Sequence, residues 1–83
     1  MEEKIGKITH YFSKIGVGVL EITEGSVKAG DSIHLIGHGA DFTQVIDSMQ
    51  VDHQPVSEAK VGESVGLKIA QPIKEGIEVY KVS

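Results

Sequence analysis

The sequence predicts an all-β fold, a small closed antiparallel barrel of about six to seven strands. Ten Gly and two Pro divide the 83 residues into short segments. Apolar residues alternate with polar ones, and no segment keeps a 3.6-residue apolar repeat over several helical turns. The segments recur at about ten-residue spacing, which is typical of a sandwich or barrel. Closure is favoured for so short a chain because it removes unpaired edges.

Six segments have the alternation of strands: residues 4–11, 16–22, 32–36, 42–51, 64–70 and 77–82. In the first segment, alternation places Ile8, His10 and Phe12 on one face. The second segment separates Val17 and Val19 on one face from Leu20 and Ile22 on the other. The long fourth segment shifts its apolar phase near residues 46–48, which predicts a bulge there.

The remaining segments are predicted to be turns and loops. Residues 24–31 have a turn at each end and no strand of useful length between them, and residues 56–63 form a loop. The strands at 32–36 and 64–70 supply the predicted core, with these side chains directed inward: Ile33, Leu35, Val65, Leu67 and Ile69. The length predicts one domain, residues 1–83.

Composition excludes several classes of protein. There is no Cys, which excludes a disulfide scaffold and a Cys-based zinc site. The chain is too short for a Rossmann or P-loop enzyme, and its longest apolar stretch, residues 15–20, is too short to span a membrane. The first residues do not resemble a secretory signal, so a cytoplasmic protein is expected.

Charge argues against a strong nucleic-acid binder. The formal net charge is −4, and all eight basic residues are Lys. Arg is the preferred residue for bidentate phosphate and base contacts, and this chain has none. Any nucleic-acid binding would therefore depend on local groups of Lys.

Two glycine-containing motifs carry a family resemblance. Residues 25–33 read GSVKAGDSI, and residues 59–67 read AKVGESVGL. Together they resemble the second domain of translational GTPases such as elongation factor Tu, a β-barrel. The resemblance implies that five residues build the turns: Gly25, Gly30, Asp31, Gly62 and Gly66. Gly66 is also expected to let a neighbouring strand approach closely.

Three further segments, residues 6–12, 41–44 and 48–50, extend the resemblance. They look like small proteins of the translation-elongation-factor-like type and are similar to the C-terminal barrel of collagenase-like peptidases. The resemblance to translation factors implies a non-catalytic module that contacts tRNA, ribosomal RNA or a ribonucleoprotein. Lys14 falls at the position of that family's positive residue, and Lys60 lies on the same family surface.

The predicted RNA contacts combine cations with aromatic rings. Lys7, Lys14 and Lys60 would attract phosphates, and Tyr11 or Phe12 would stack on a base. The alternative is a protein-interaction module, an accessory subunit of a larger enzyme without RNA affinity. In that case Tyr11, Phe12 and Ile15 would form an apolar docking patch, unless Phe12 and Ile15 instead plug one end of the barrel.

The histidines permit a third hypothesis, a metal-dependent activity that uses His34 and His38. The other two histidines, His10 and His53, lie on separate segments, and no spacing matches a known ligand pattern. The prediction is therefore no metal, no cofactor and no bound nucleotide. No nucleophile elbow or phosphate loop is present, so no catalytic residue is assigned and the chain is not expected to be an enzyme.

Overall fold

The computed structural model describes residues 2–51 and 54–82 and confirms an all-β fold. Each of its strand pairings is antiparallel. The described residues form ten strands: β1 Glu2–Phe12, β2 Val17–Ile22, β3 Ser26–Lys28, β4 Ser32–Gly37, β5 Ala40–Val45, β6 Met49–Val51, β7 Gln54–Val56, β8 Glu58–Lys60, β9 Ser64–Lys68 and β10 Glu78–Val82. Within that part of the chain, no helix has the length and apolar character needed to cross a membrane.

The strands form one large sheet and one small sheet. The large sheet has the order β5-β4-β10-β1-β2-β9-β6-β7, and β3 pairs with β8 in the small sheet. Among the described residues the end strands β5 and β7 do not pair, so the backbone ladder does not close on itself. The prediction of a closed barrel of six to seven strands is therefore wrong, although the antiparallel all-β class is correct.

A glutamine side chain spans the gap between edge strand β5 and the end of β9. The Gln44 amide nitrogen donates to the Lys68 carbonyl oxygen at 2.7 Å, and its amide oxygen accepts from the Ala70 backbone N–H at 2.7 Å. One carboxamide thus replaces the pair of bonds that a neighbouring strand would make. We call this side-chain bridge between β5 and the end of β9 the β5–β9 seam; the two strands are not neighbours in the described sheet.

Strand β1 is central, because it pairs with β10 on one side and β2 on the other. Its register with β2 shifts between Ile8 and His10, which leaves Thr9 as an extra residue. The shift reverses the faces that simple alternation predicts. Ile8 is fully buried, whereas His10 and Phe12 face outward. The expectation that all three share a face is corrected by this bulge.

The core consists of apolar side chains from both sheets. Its fifteen buried members are Ile5, Ile8, Leu20, Ile22, Val27, Ile33, Leu35, Ile46, Met49, Ala59, Val65, Leu67, Ile69, Ile77 and Val79. The five inward side chains predicted from residues 32–36 and 64–70 are all among them. Among the described residues, no polar or charged residue is buried. The core therefore depends on apolar packing.

The predicted strand at 42–51 is divided into β5 and β6. At Ile46 the backbone leaves β5: its N–H donates to the Asp31 carbonyl at 2.9 Å, and its carbonyl accepts from the Gly30 N–H at 2.8 Å. These bonds attach the chain to the turn before β4, and Ile46 becomes buried. The apolar phase shift seen in the sequence thus marks a break between strands, where a bulge had been expected.

Two regions predicted to lack strands form the small sheet. Val27 of β3 lies opposite Ala59 of β8, and both side chains are fully buried. Each strand is three residues long, too short for alternation to identify it in the sequence. Pro55 lies in β7, the last strand of the large sheet, where its missing N–H costs no ladder bond.

Candidate functional site

The outer face of β1, β2 and β9 carries an apolar groove at the end of the β1–β2 hairpin. Phe12, Ile15, Val17 and Val19 line it, with Gly66 between them and β6. Cross-strand register brings these residues together: Phe12 lies opposite Val17, and Val19 lies opposite Gly66. We call these five residues the hairpin groove. Gln50 and Ser64 add polar groups at its edge.

Two large side chains of the hairpin groove are exposed to solvent. Phe12 is 51% exposed and Ile15 is 64% exposed. The loop that presents them is fixed, because the Phe12 carbonyl accepts hydrogen bonds from the N–H groups of Ile15 and Gly16. They form a surface patch and do not plug an end of the fold. Tyr11, expected to join that patch, is half-buried and packs against the core.

Gly66 shapes the groove by having no side chain. A Cβ atom there would lie 3.6 Å from Val17 Cγ1 and 3.8 Å from the Gln50 carbonyl oxygen, which are ordinary contact distances. The expectation that Gly66 permits close strand approach is therefore wrong. That role belongs to Gly6 on β1, where a Cβ would overlap the Glu21 carbonyl oxygen.

Two lysines border the hairpin groove. Lys14 lies between Phe12 and Ile15 in the loop, and Lys68 lies opposite Val17 on β9, in an adjoining pocket that shares Val17 and Gly66 with the groove. Neither forms an ion pair with another described residue. Phe12 also stacks on His10, with ring centroids 6.3 Å apart. In an acidic chain, this end of the sheet presents positive charge next to apolar side chains.

A second cluster lies on the outer face of the other half of the sheet, around His34 on β4. His34 Nδ1 is 2.8 Å from Glu2 Oε2, and its Nε2 is 2.5 Å from Asp41 Oδ1. Both ring nitrogens therefore face carboxylates. The hydrogen bonds to Asp41 and then to Glu2 raise the pKa of His34 above its ordinary 6.5, because each favours the imidazolium form.

The same face continues into a hydrogen-bonded chain on β10 and β1. The Tyr80 hydroxyl donates to Glu78 Oε2 at 2.9 Å, and Lys4 Nζ lies 3.4 Å from Glu78 Oε1. The bond from Tyr80, followed by that from Lys4, lowers the pKa of Glu78. The bond to Glu78 raises the pKa of the Tyr80 hydroxyl. These polar side chains satisfy one another, so we call this surface the polar face.

The structure does not assemble the histidines into a ligand set. Among residues 2–51 and 54–82, no three His, Asp or Glu side chains are placed to hold a metal ion. His34 has its two carboxylates on opposite ring nitrogens. His38 occupies a tight turn with Gly39, at positive φ values of 48° and 88°. The hypothesis of a metal-dependent activity used His34 and His38; His53, one of the other two histidines, lies outside the described residues.

The five residues assigned to RNA binding do not form one surface: Lys7, Tyr11, Phe12, Lys14 and Lys60. Phe12 and Lys14 are neighbours in the hairpin, and Lys7 lies further along β1 opposite Glu21. Lys60 belongs to the small sheet, where its N–H donates to Glu63 Oε1 at 2.7 Å. Their assignment to RNA binding rests on the resemblance to translation factors alone.

The residues assigned to turns are Gly25, Gly30, Asp31, Gly62 and Gly66. Gly30 has a φ of 95° and Gly62 one of 92°, a region that L-residues rarely adopt. Asp31 Oδ2 accepts the Lys28 backbone N–H at 2.9 Å, which closes the turn before β4. Gly66 differs, because it lies within β9.

Sequence reasoning missed several residues of both surfaces. It placed Val17 and Val19 on one face but did not join them to Phe12, because the bulge at Thr9 is not visible in simple alternation. It also missed Lys68, which lies between the inward-directed Leu67 and Ile69 of the segment predicted at 64–70. Glu2 comes from the chain terminus, where no pattern indicates a long-range partner.

Comparison with curated proteins identifies peptidase-like relatives. The chain is 36% identical over 78 residues to an uncharacterized protease of Methanocaldococcus jannaschii, an alignment that covers 93% of this chain and 19% of that protein. It is 26% identical over 78 residues to a collagenase of Porphyromonas gingivalis, again over 93% of this chain and over 22% of that protein. The chain thus spans about a fifth of the length of these relatives. No protein-family model matches it.

Solved structures share the fold. The C-terminal domain of a Geobacillus thermoleovorans protein named as a U32 peptidase superposes with a TM-score of 0.89 at 20% identity, covering 98% of this chain and 93% of that chain. The selenomethionine variant of that domain gives a TM-score of 0.86 at 20% identity, covering 93% and 96%. The fold is therefore that of a domain found at the C-terminal end of a longer protein.

These findings correct the functional expectation. The resemblance to collagenase-like peptidases is supported, whereas the resemblance to elongation factor Tu is not. The predicted function, a translation-related module that contacts RNA, is wrong. The alternative, a protein-interaction module associated with a larger enzyme, agrees better with relatives named protease and collagenase.

Proposed function

We propose that this chain is a non-catalytic protein-interaction module that associates with a peptidase-type polypeptide. The observation that carries the proposal is that the fold makes up about a fifth of proteins named protease or collagenase and leaves large apolar side chains exposed on its surface. In this proposal residues 1–83 act as one domain in the cytoplasm. Catalysis belongs to the peptidase-type polypeptide, and the module supplies contacts.

The packing supports a surface function. Fifteen apolar side chains fill the interior, so contacts with other molecules take place on the outer faces of the sheet. On the polar face the side chains bond to one another. On the hairpin groove, Phe12 and Ile15 remain more than half exposed, and burial of such side chains against a partner is favourable.

A binding measurement tests the proposal. The intact 83-residue chain is titrated into the M. jannaschii protease from which the matching 78-residue segment has been deleted. Deletion leaves the docking position for this fold vacant. We expect saturable binding with a Kd in the range of about 1 to 100 μM, as for a transient interface.

The full-length M. jannaschii protease is the control, because its own segment occupies the same position. Its binding to the chain should be at least about tenfold weaker, a difference of about 1.4 kcal/mol. Circular dichroism verifies that the deletion variant is folded. Equal binding by both forms, or none by a folded deletion variant, contradicts the proposed function.

A further inference from the structure

We propose that the hairpin groove receives a surface of the peptidase-type polypeptide on which an apolar side chain is flanked by carboxylates. This inference rests on the proposed function and deepens it by assigning the docking surface and the chemistry of its occupant. The groove holds the apolar side chain, and Lys14 and Lys68 pair with the acidic neighbours.

The apolar part of the argument is geometric. Phe12 and Ile15 line the hairpin side of the groove, Val17 and Val19 of β2 line it next to them, and Gly66 lies opposite Val19 on β9. A Cβ at Gly66 would make only ordinary contacts, so the glycine leaves room there for a methyl-sized part of an incoming group. An aliphatic or aromatic side chain placed there would be desolvated on several sides, as at the centre of a protein interface.

The two lysines beside the groove indicate the charge that its occupant should carry. Lys14 and Lys68 make no ion pair with any residue that the structure describes, whereas the polar face pairs its own charges. The formal net charge of the chain is −4. The basic rim formed by Lys14 and Lys68 is therefore opposite in sign to the net charge of the chain. A partner that presents Asp or Glu beside an apolar side chain matches both features.

The same lysines argue against a second copy of this chain as the occupant. A twofold interface places the same patch of each copy against the other. The lysine rims would then face each other, and like charges across an interface are unfavourable. The matching segment makes up only 19% to 22% of the relatives. In those proteins this fold therefore occurs together with a much longer part of the same chain, and we take that part as the partner.

Paired variants test the apolar contact. In the binding measurement with the M. jannaschii deletion variant, Phe12→Ser combined with Ile15→Ser should weaken binding at least about tenfold. The matched control is Val45→Ser combined with Val61→Ser, which removes two apolar side chains that are 53% and 57% exposed elsewhere. The control should keep the wild-type Kd within about twofold.

Charge reversal tests the rim. Lys14→Glu combined with Lys68→Glu should weaken binding about tenfold at low salt and reduce the dependence of Kd on ionic strength. The control reverses two exposed lysines outside the groove, Lys60 and Lys74, with the same total charge change. Equal weakening by both pairs would overturn the role assigned to the rim.

Thiol labelling tests the location independently of affinity, because the chain contains no Cys. In Ile15→Cys, the rate of reaction with a maleimide should fall at least about fivefold when the deletion variant is present in excess. In Val45→Cys, the rate should be unchanged. Mass spectrometry of the 83-residue chain gives the extent of reaction, so thiols of the partner do not interfere.

The outcomes separate the two proposals. No binding by the wild-type chain overturns the proposed function and this inference with it. Wild-type binding that survives the Phe12 and Ile15 substitutions, without protection at residue 15, overturns this inference and leaves the proposed function intact. A dimer of the isolated chain by light scattering that those substitutions abolish assigns the groove to a second copy and also overturns it.

Discussion

The two halves of the outer surface use the same sheet in opposite ways. On the polar face, His34, Glu78 and their partners form hydrogen bonds across β4, β10 and β1. On the hairpin groove, Phe12 and Ile15 are exposed apolar groups without a cover in the described chain. The polar face completes its interactions within the fold, whereas we propose that the groove completes them against another molecule. Under this proposal, one face contributes to stability and the other to recognition.

Strand β1 contributes residues to both the polar face and the hairpin groove. A disruptive substitution in β1 should therefore reduce the free energy of unfolding more than the other substitutions considered. Gly6→Ala places a Cβ on the Glu21 carbonyl oxygen, and backbone cannot move aside as a flexible side chain can. We expect a loss of about 3 kcal/mol in the free energy of unfolding, measured by urea denaturation. Gly66→Ala is the matched control, because the new Cβ atom would make only ordinary van der Waals contacts. It should change the free energy of unfolding by less than about 1 kcal/mol. Equal losses in both variants would contradict this account of β1.

The second largest effect on stability is expected at the β5–β9 seam. Gln44→Leu removes both carboxamide bonds and leaves the Lys68 carbonyl and the Ala70 N–H without that partner. We expect a loss of about 1 to 2 kcal/mol in the free energy of unfolding, since both groups regain water only in part. Thr43→Ala, an exposed neighbour on β5, should be close to neutral. A Gln44→Leu variant as stable as the wild type would show that the seam does not depend on this bridge.

The polar face should make stability depend on pH through His34. Its pKa is raised in the folded state, so the stabilisation is fully present below the ordinary value of 6.5 and is lost as pH rises through the folded pKa. We therefore measure the free energy of unfolding by urea at about pH 5.5 and at about pH 8.5. The gain in stability at the lower pH should be larger for wild type than for His34→Gln. His38→Asn is the control for loss of a histidine. The interpretation fails if wild type and His34→Gln show the same difference between the two pH values.

The smallest effect on folding is expected at the hairpin groove. Phe12→Ser and Ile15→Ser remove side chains that already contact water, so each should change the free energy of unfolding by no more than about 0.5 kcal/mol. Thermal and urea unfolding measure this directly. A loss of several kcal/mol would place these side chains in the fold and remove the contrast between the two faces.

Much of the fold can be predicted from the sequence because it follows from alternation. The inward positions of Ile33, Leu35 and Leu67 are a property of strand geometry and are confirmed. Closure cannot be predicted in this way, since it depends on whether the last strand meets the first. In this chain the described end strands β5 and β7 do not pair, and Gln44, a polar residue with no distinctive pattern around it, joins β5 to the end of β9.

The candidate site could be predicted only in part. Alternation places Val17 and Val19 on one face, and an exposed patch that includes Phe12 and Ile15 is one of the two alternatives that the sequence leaves open. The missing element is the extra residue at Thr9, which moves Phe12 onto the face of the two valines. A bulge is decided by the register between strands, so a single strand's sequence does not contain it.

The sequence alone determines the all-β class, the apolar core and an acidic, cysteine-free composition with lysine as its only strong cation, because these follow from residue types and their period. Tertiary structure decides the open sheet, the pairing of Glu2 with His34, and the joining of Phe12 to Val17 and Val19. Each of these depends on contacts between residues far apart in the chain or on a one-residue register shift. Such contacts are selected by the packing of the whole core, which local periodicity does not encode.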